Sequence, residues 1–263
     1  MRPVIVERGG STNLRFGVFA HDDMVGYEFG SRLRSRTKSG GWMTMLAPNP
    51  ELWATALRRR TQIVFPWDAA FIIQQLQLRP GSVVVESGTG SGSLTTNFAR
   101  TIAPTGHVHT FEYNEARAKA AGIEFAENGI NHLVTVTHGD VCAHGFGDAL
   151  AGAADAVFLD LPSPWEAVAA AKAVLRVGAR IATFSPCIEQ VQRTYTALRE
   201  AGFEDLRTFE CLQRGLMLKD ATLPTVPWVE TFVAEHTDML PATAAERRAF
   251  EARRREAGAG AGE

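Results

Sequence analysis

The chain has 263 residues, of which 45% are hydrophobic and 21% charged, and this composition excludes collagen, coiled coils and wholesale disorder. Lys and Arg total 27 against 29 Asp and Glu, so the net charge of −2 excludes a bulk polycation, and nucleic-acid binding would need a local patch. No apolar run reaches the roughly 18 residues that span a bilayer. The three cysteines fit no metal-binding spacing. We expect a soluble, intracellular protein without a metal.

Residues 1–62 are predicted to form a small β-rich domain, since Leu14, Phe16 and Val18 alternate with polar or small neighbours. From residue 31 to 41, basic residues recur at every second position. In an extended segment this spacing places four cations on one face: Arg32, Arg34, Arg36 and Lys38. A solvated face is the alternative, but four cations without an interleaved acid favour an RNA-binding surface.

Residues 63–241 are predicted to form a second domain in which helices and strands alternate. Apolar runs such as VVV and AVFL are typical of a parallel sheet covered by helices on both faces. Repeated strand–helix units predict a doubly wound α/β sheet. The predicted strands are 82–86, 107–112, 133–138, 155–160 and 179–185. The predicted helices are 69–78, capped by Asp68, then 93–101, 115–127, 166–175 and 188–201.

The end of the chain has a different pattern. The segments 203–212 and 228–236 both read as strands, which predicts an antiparallel pair that closes the sheet. Residues 242–263 are predicted to form a charged helix followed by a flexible tail.

The stretch ESGTGSG, residues 86–92, ends the first strand of the α/β region and opens a helix. Its three glycines let a ligand approach backbone N–H groups closely. A dinucleotide fingerprint has the spacing GxGxxG and seats a pyrophosphate, whereas this loop is GxGxG and begins with an acid. A carboxylate opposes a pyrophosphate but suits a ligand that carries an ammonium and a sulfonium. These features predict a site for S-adenosylmethionine.

Acids also end the next two predicted strands. Glu112 lies where nucleotide-binding α/β folds place the acid that accepts hydrogen bonds from ribose hydroxyls. Asp140 is suited to accept from an adenine amino group, while its neighbour Val141 packs on the ring. Each acid taken alone is also consistent with an ordinary surface residue. Because successive parallel strands end at the same edge of a sheet, we interpret them as one adenosyl-binding site.

Asp160 ends the fourth strand and is followed by LPSPW, in which two prolines predict a rigid loop. One interpretation is a solvated residue in a helix-capping loop. The other, which we adopt, is a catalytic carboxylate that positions a planar nitrogen nucleophile. Attack on a sulfonium methyl group needs aligned atoms and a charge that accepts or orients a proton.

The runs PELWATALRRRTQIVFPWD, LRPGSVVVESGTGSGSL, DLPSPWEAV and FSPCIEQVQRT resemble the catalytic subunits of tRNA (adenine-N1) methyltransferases, which modify the T-loop adenine at position 58. The resemblance implies a class I Rossmann-like methyltransferase domain after a small β-domain, with Asp160 as the active-site acid. It also implies the S-adenosylmethionine contacts, which are Gln62, Ile63, Val64, Glu86, Gly88, Thr89, Gly90, Ser91, Gly92, Ser93, Leu94, Glu112, Arg117, Asp140, Val141 and Asp160.

The resemblance further implies tRNA as the substrate, and a heterotetramer with a homologous non-catalytic subunit or, in another branch of the family, a homotetramer. It implies the nucleus, with the cytoplasm or an organelle as alternatives. Two other functions stay open. One is a class I methyltransferase that acts on a protein carboxylate or a small molecule, and the other is a cofactor-binding RNA scaffold without catalysis. For Phe65 and Trp67, core packing is preferred over stacking on a base.

Overall fold

In the computed structural model, which describes residues 3–212, two antiparallel hairpins precede a five-stranded parallel sheet. The first hairpin pairs β1 (Ser11–Leu14) with β2 (Gly17–Ala20), and the second pairs β3 (Arg32–Arg34) with β4 (Trp42–Thr44). The predicted β-rich start is therefore confirmed. Phe16, predicted within a strand, lies instead in the turn between β1 and β2, where it is 44% exposed.

The hairpins share a small apolar core around Phe19, Met24 and Leu33. Leu33 points inward, so its neighbours Arg32 and Arg34 lie on the exposed face of β3.

The prediction that four cations share one face is wrong for the second half of the run. The extended strand ends at Arg34, because the Ser35 hydroxyl accepts hydrogen bonds from the backbone N–H groups of residues 37 and 38 and turns the chain. Arg36 forms an ion pair with Asp23, and the Lys38 ammonium donates to the carbonyl oxygen of Arg15 at 3.4 Å. Only Arg32 and Arg34 remain side by side.

The parallel sheet contains β5 (Val83–Ser87), β6 (His107–Glu112), β7 (Val134–His138), β8 (Ala154–Leu159) and β9 (Leu175–Thr183). Its strand order is β7-β6-β5-β8-β9, and every neighbouring pair is parallel. The chain thus winds outward from β5 in both directions, as the alternation of strands and helices predicted.

Seven α-helices lie in the described part of the chain. They are α1 (Pro50–Ala56), α2 (Pro66–Leu76), α3 (Ser93–Ile102), α4 (Glu115–Glu127), α5 (Val141–His144), α6 (Val168–Val174) and α7 (Ile188–Glu200). Within residues 3–212, none of them is long and apolar enough to cross a membrane.

The three central strands of the sheet, β5, β6 and β8, are buried on both faces. Val84 and Val108 pack with Phe98 of α3 and Phe125 of α4 on one side, whereas Val85 packs on the other side in a cluster with residues of α6. Successive residues of one strand therefore serve two separate hydrophobic layers, which explains why VVV carries no polar residue.

Several element boundaries differ from the predictions. The helix predicted at 166–175 is a 3-10 turn at 164–167 followed by α6. Strand β9 begins four residues early because Leu175 already pairs with Ala154, ahead of a register irregularity that contains Gly178 (φ 78°). Helix α2 begins at Pro66, so Asp68 lies in its first turn and does not cap it. Sequence reasoning did not anticipate α1 and α5.

The closing antiparallel pair is not supported at its first member. Residues 203–212 form no strand, and Asp205 has a φ of 54°, which interrupts an extended run. The second member, 228–236, and the charged helix and tail at 242–263 lie outside the described residues. The domain boundaries after residues 62 and 241 stay predictions.

Candidate active site

The carboxyl ends of β5, β6 and β8 meet where the direction of chain winding reverses, and doubly wound sheets bind their ligands at that point. The glycine loop, residues 88–92, connects β5 to α3 at this edge. The backbone N–H of Gly88 donates to the carbonyl oxygen of Phe111 at 2.9 Å, and that of Asp160 donates to the carbonyl oxygen of Ser87 at 2.9 Å. The start of the loop is therefore tied to β6, and the last residue of β5 to the end of β8.

Close backbone approach explains two of the glycines. At Gly88, with φ of 99°, an added Cβ would lie 2.3 Å from the carbonyl oxygen of Asp160. At Gly90, with φ of 54°, an added Cβ would lie 2.6 Å from the Thr61 hydroxyl oxygen. Both contacts are shorter than a side chain tolerates, so glycine lets the loop touch the ends of β8 and of the segment before α2.

Glu86 is a buried carboxyl group at the base of the loop, with a residue exposure of 1%. Its Oε2 accepts hydrogen bonds from the hydroxyls of Thr95 and Thr110, each at 2.6 Å. Burial, with a smaller contribution from the charges of Asp160 and Glu112, raises the pKa of Glu86 to about 7 against the opposing effect of these two hydrogen bonds. A cation in the adjoining cleft would stabilise the ionised form.

Asp160 follows β8 and is partly buried. Burial raises the pKa of its carboxyl group to about 6. This carboxyl is mostly ionised at pH 7, yet its pKa lies close enough to neutrality for proton exchange with a bound group. Asp160 can therefore carry a negative charge at the cleft and can also accept a proton there.

Glu112, at the end of β6, holds the loop from the other side. Its carboxylate accepts hydrogen bonds from the backbone N–H groups of Gly90 and Asn114, both at 2.9 Å, and from the Arg117 guanidinium at 2.6 and 3.0 Å. Burial raises the pKa of Glu112, but the hydrogen bonds and the charge of Arg117 outweigh it, so the pKa lies below its ordinary value. Glu112 therefore stays ionised at the loop.

The segment 60–64 lies across the glycine loop. The Ser91 hydroxyl accepts hydrogen bonds from the backbone N–H groups of Arg60 and Thr61 at 2.8 and 3.0 Å. The Arg60 guanidinium also forms an ion pair with Glu124 of α4 at 2.6 Å. These contacts fix the segment to the loop and form one wall of the cleft.

A single cleft gathers most of the predicted cofactor residues. Its predicted members are Gln62, Ile63, Val64, Glu86, Gly88, Thr89, Gly90, Ser91, Ser93, Leu94 and Asp160. Thr61 and Phe158 also line it, and sequence reasoning missed both. Thr61 stands directly before the predicted QIV run, which was a usable signal, whereas Phe158 has the same pattern as any core residue of a buried strand.

The remaining predicted cofactor residues do not line this cleft. Gly92 begins α3, and Glu112 and Arg117 form the ion pair behind the loop. Asp140 caps α5, with its Oδ1 accepting from the backbone N–H groups of residues 142 and 143 at 2.9 and 3.3 Å, and Val141 is buried in the core. They border the same sheet edge, because the Gly139 N–H donates to the carbonyl oxygen of Glu112 at 3.1 Å.

The core assignment of Phe65 and Trp67 is wrong. Their rings stack on each other, with centroids 4.8 Å apart and planes 3° from parallel, and Trp67 is 44% exposed. Neither residue belongs to a core cluster of the described chain.

Among residues 3–212, no three His, Cys, Asp or Glu side chains lie together as a metal site would require.

One edge of the doubly wound sheet thus carries the GxGxG loop and the three carboxyl groups beside it. Comparison with known proteins identifies the family that has this arrangement. Residues 41–260 match the family model described as "tRNA methyltransferase complex GCD14 subunit". The chain belongs to this family. The match covers both the glycine loop and the Asp160 loop, so the resemblance noted in the sequence is confirmed.

Curated proteins similar to the chain are named as catalytic subunits of tRNA (adenine(58)-N(1))-methyltransferases. A tRNA (adenine(58)-N(1))-methyltransferase catalytic subunit of Dictyostelium discoideum is 46% identical over 216 residues, which cover 81% of this chain and 69% of that protein. One from Candida albicans is 44% identical, covering 80% of this chain and 63% of that protein. The chain spans between 54% and 69% of the length of the curated relatives it matches.

Solved structures show the same fold. A SAM-dependent O-methyltransferase of Thermotoga maritima is 29% identical with a TM-score of 0.74, and the match covers 81% of this chain and 77% of that one. The tRNA (m1A58) methyltransferase TrmI of Aquifex aeolicus is 24% identical with a TM-score of 0.61, covering 73% of each chain. The family member described here therefore has the class I methyltransferase fold, as predicted.

Proposed function

We propose that the chain is a catalytic subunit that transfers a methyl group from S-adenosylmethionine to N1 of adenine 58 in the T-loop of tRNA. The observation that carries this proposal is the cleft where Glu86 and Asp160, two carboxyl groups with raised pKa values, adjoin a glycine loop. The names of the curated relatives support tRNA as the substrate, and the residues that line the cleft support methyl transfer from S-adenosylmethionine.

The residues present fit S-adenosylmethionine. Two carboxyl groups line the cleft, and a ligand that carries a sulfonium and an ammonium would favour their ionised forms. The glycine loop and the segment 62–64 would hold the amino-acid end, and Glu112 would accept hydrogen bonds from the ribose hydroxyls. Asp140 and Val141 would border the adenine. When bound, the cofactor supplies an electrophilic methyl group.

Asp160 would act on the substrate base. Methylation at N1 leaves the adenine with a positive charge, and an ionised carboxylate beside the ring stabilises that charge and accepts a proton from the exocyclic amino group. Burial strengthens this interaction because water competes less for the carboxylate. The rigid loop that follows Asp160 would hold the acid in place. The loop is itself anchored to α7, because the Gln190 side-chain amide donates to the carbonyl oxygen of Pro162 at 3.0 Å.

Arg32 and Arg34 would contact the RNA backbone. They lie on the exposed face of β3, and the Arg32 guanidinium lies 4.1 Å from the ring centroid of the exposed Trp42. An arginine beside an exposed aromatic ring suits both phosphate and base contacts. Arg36 and Lys38 already have protein partners, so we assign them a smaller part of the RNA-binding surface than the sequence suggested.

We also propose that the chain pairs with a homologous non-catalytic subunit as a heterotetramer in the nucleus, with a homotetramer as the alternative assembly. The words "catalytic subunit" in the names of the relatives support a partner. Co-purification of the tagged chain from its own cells, followed by the measured mass of the complex, tests the assembly. Imaging of the tagged chain tests the compartment.

The deciding experiment combines base mapping with Asp160→Asn. The full chain, alone and co-expressed with the candidate partner, is assayed on unmodified tRNA, and we expect N1-methyladenine at position 58. Asp160→Asn should lower kcat by about 10²- to 10⁴-fold, the usual contribution of a general acid or base, with S-adenosylmethionine affinity nearly unchanged. If the wild type bound tRNA without methylating it, the RNA scaffold without catalysis would be favoured. If it methylated a protein or a small molecule, the chain would be a class I methyltransferase with that substrate.

The pH dependence of kcat provides a second readout. The working form of Asp160 is the carboxylate, so kcat should rise with pH and level off above the pKa of Asp160, which is about 6 in the free chain and lower beside a bound sulfonium. The residual activity of Asp160→Asn should lack this step. A step that persists in the variant would assign the titration to another group and remove Asp160 from the proton-accepting role.

A further inference from the structure

Three planar groups lie together next to the wall of the cleft. The rings of Phe65 and Trp67 are stacked with nearly parallel planes, and their centroids are 4.8 Å apart. The guanidinium carbon of Arg59 lies over the Phe65 ring, 5.5 Å from its centroid. We refer to Arg59, Phe65 and Trp67 as the Trp67 stack. Such an arrangement of aromatic and guanidinium planes matches the surfaces on which proteins stack single-stranded bases.

The position of the Trp67 stack is fixed relative to the cleft. Val64, which lines the cleft, accepts a hydrogen bond at its carbonyl oxygen from the Ser93 hydroxyl at 3.2 Å. Pro66 opens α2 at its first turn, and its ring restricts the backbone between the two aromatic residues. Trp67 is three residues beyond Val64, so their Cα atoms are at most about 11 Å apart. The stack is thus within one or two nucleotides' reach of the cleft.

Exposure and charge both favour an RNA strand as the occupant. Trp67 is 44% exposed, although an indole ring of this size is usually covered. Arg58 and Arg59 are exposed, and within residues 3–212 neither forms an ion pair. The neighbouring acid, Asp68, is engaged with the Cys211 thiol. An exposed π-face beside two guanidinium groups that form no ion pair within residues 3–212 is complementary to a base and its phosphate.

We propose that Trp67 stacks a nucleobase that flanks the target adenine, while Arg58 and Arg59 contact the adjoining phosphates. This inference rests on the proposed function. A base that reacts at N1 must leave its own stack, which exposes the face of its neighbour. Stacking that neighbour on Trp67 offsets part of the unstacking cost, and it selects for RNA in which the base beside the target adenine is unpaired.

The test compares Trp67→Leu, which removes the ring but keeps an apolar side chain, with Trp67→Phe, which keeps an aromatic plane. The full chain, in the assembly in which the wild type binds unmodified tRNA, is used throughout. Stacking is worth about 1–3 kcal/mol per base, so Trp67→Leu should raise the Kd for tRNA by about 5- to 150-fold, whereas Trp67→Phe should retain most of the affinity. The affinity for S-adenosylmethionine and the Tm serve as controls.

Indole fluorescence gives a signature that a purely structural role would not produce. The chain has five tryptophans, and tRNA should quench the wild type more than Trp67→Phe because a stacked base quenches an indole. Arg59→Gln should lower the salt dependence of log Kd by about 0.7–0.9, the loss of one phosphate contact on a single strand or a duplex. If Trp67→Leu is misfolded, the comparison of quenching decides alone.

Three outcomes would overturn the inference. They are a Trp67→Leu variant that is folded and binds tRNA like the wild type, equal quenching in the wild type and Trp67→Phe, or quenching of Trp67 by a protein partner and not by tRNA. A wild type that neither binds nor methylates tRNA, alone or with the partner, would instead contradict the proposed function. The two failures are therefore distinguishable.

Discussion

The glycine loop and the second N-terminal hairpin differ in how their charged residues are held. At the loop, Glu86 is buried and bonded by two hydroxyls, and Glu112 is bonded by two backbone N–H groups and an arginine. On the hairpin, Arg32 and Arg34 are exposed and flank one buried leucine. The loop is built to keep a fixed geometry, whereas the hairpin presents charge with little structural constraint.

This difference implies different responses to mutation. Changes at the loop should disturb packing, cofactor affinity and catalysis together, because its residues contact one another across three strands. Changes on the hairpin should affect RNA affinity alone and should depend strongly on salt, because exposed charges are screened.

The largest effect is expected for Gly88→Ala. The new Cβ would meet the Asp160 carbonyl oxygen at 2.3 Å in a left-handed conformation, so the free energy of unfolding should fall by about 2–5 kcal/mol, measured by urea denaturation. Gly122→Ala is the matched control, since nothing lies within 4 Å of its added Cβ in the middle of α4, and it should gain up to about 1 kcal/mol. Equal stability of the two variants would contradict the close approach of loop and β8.

Glu112→Ala should have an intermediate effect on the cofactor. It removes charge-assisted hydrogen bonds of about 1.5–3 kcal/mol, so the Kd for S-adenosylmethionine should rise by about ten- to a hundredfold, as measured by calorimetry. Glu115→Ala removes an exposed carboxylate that pairs with Lys119 on the surface of α4 and should leave the Kd unchanged. An unaltered Kd in Glu112→Ala would place the ribose elsewhere.

The smallest effect is expected on the hairpin. Reversing both Arg32 and Arg34 to Glu should weaken tRNA binding and reduce the salt slope of log Kd by about 1.4–1.8, the loss of two phosphate contacts, with cofactor affinity unchanged. Arg36→Gln should change the salt slope less, because Asp23 already neutralises the charge of Arg36. Filter binding over a salt series measures both. Identical slopes for the double variant and the wild type would assign this face to solvent.

The parallel sheet could be predicted from the sequence because its signals are local. Residues 107–112 and 115–127 form the predicted strand and helix with the same bounds, since the apolar periodicity and the Asn114 cap both lie within the segment. The cleft was predictable for the same reason, because a glycine loop after a strand and acids at strand ends are readable without tertiary contacts.

What the sequence did not reveal depends on contacts between distant residues. The pairing of Arg36 with Asp23 joins two turns, and no alternation rule reports it. The partial exposure of Trp67 depends on which neighbours cover it, and an isolated aromatic residue is equally consistent with a core. The Oδ1 atom of Asp140 caps α5. In sequence, an acid that ends a strand and binds a ligand looks the same as an acid that caps the following helix.

The buried Glu86 carboxyl has a consequence for how ligand binding and protons are coupled. Its pKa of about 7 means that near neutral pH a substantial share of the molecules carry a proton there. Any cation that enters the cleft lowers this pKa, so binding expels part of a proton to solvent. Affinity for a cationic ligand should consequently increase as the medium becomes more alkaline through neutrality. The demethylated product keeps the ammonium but lacks the sulfonium charge, so it should be retained less well than the donor.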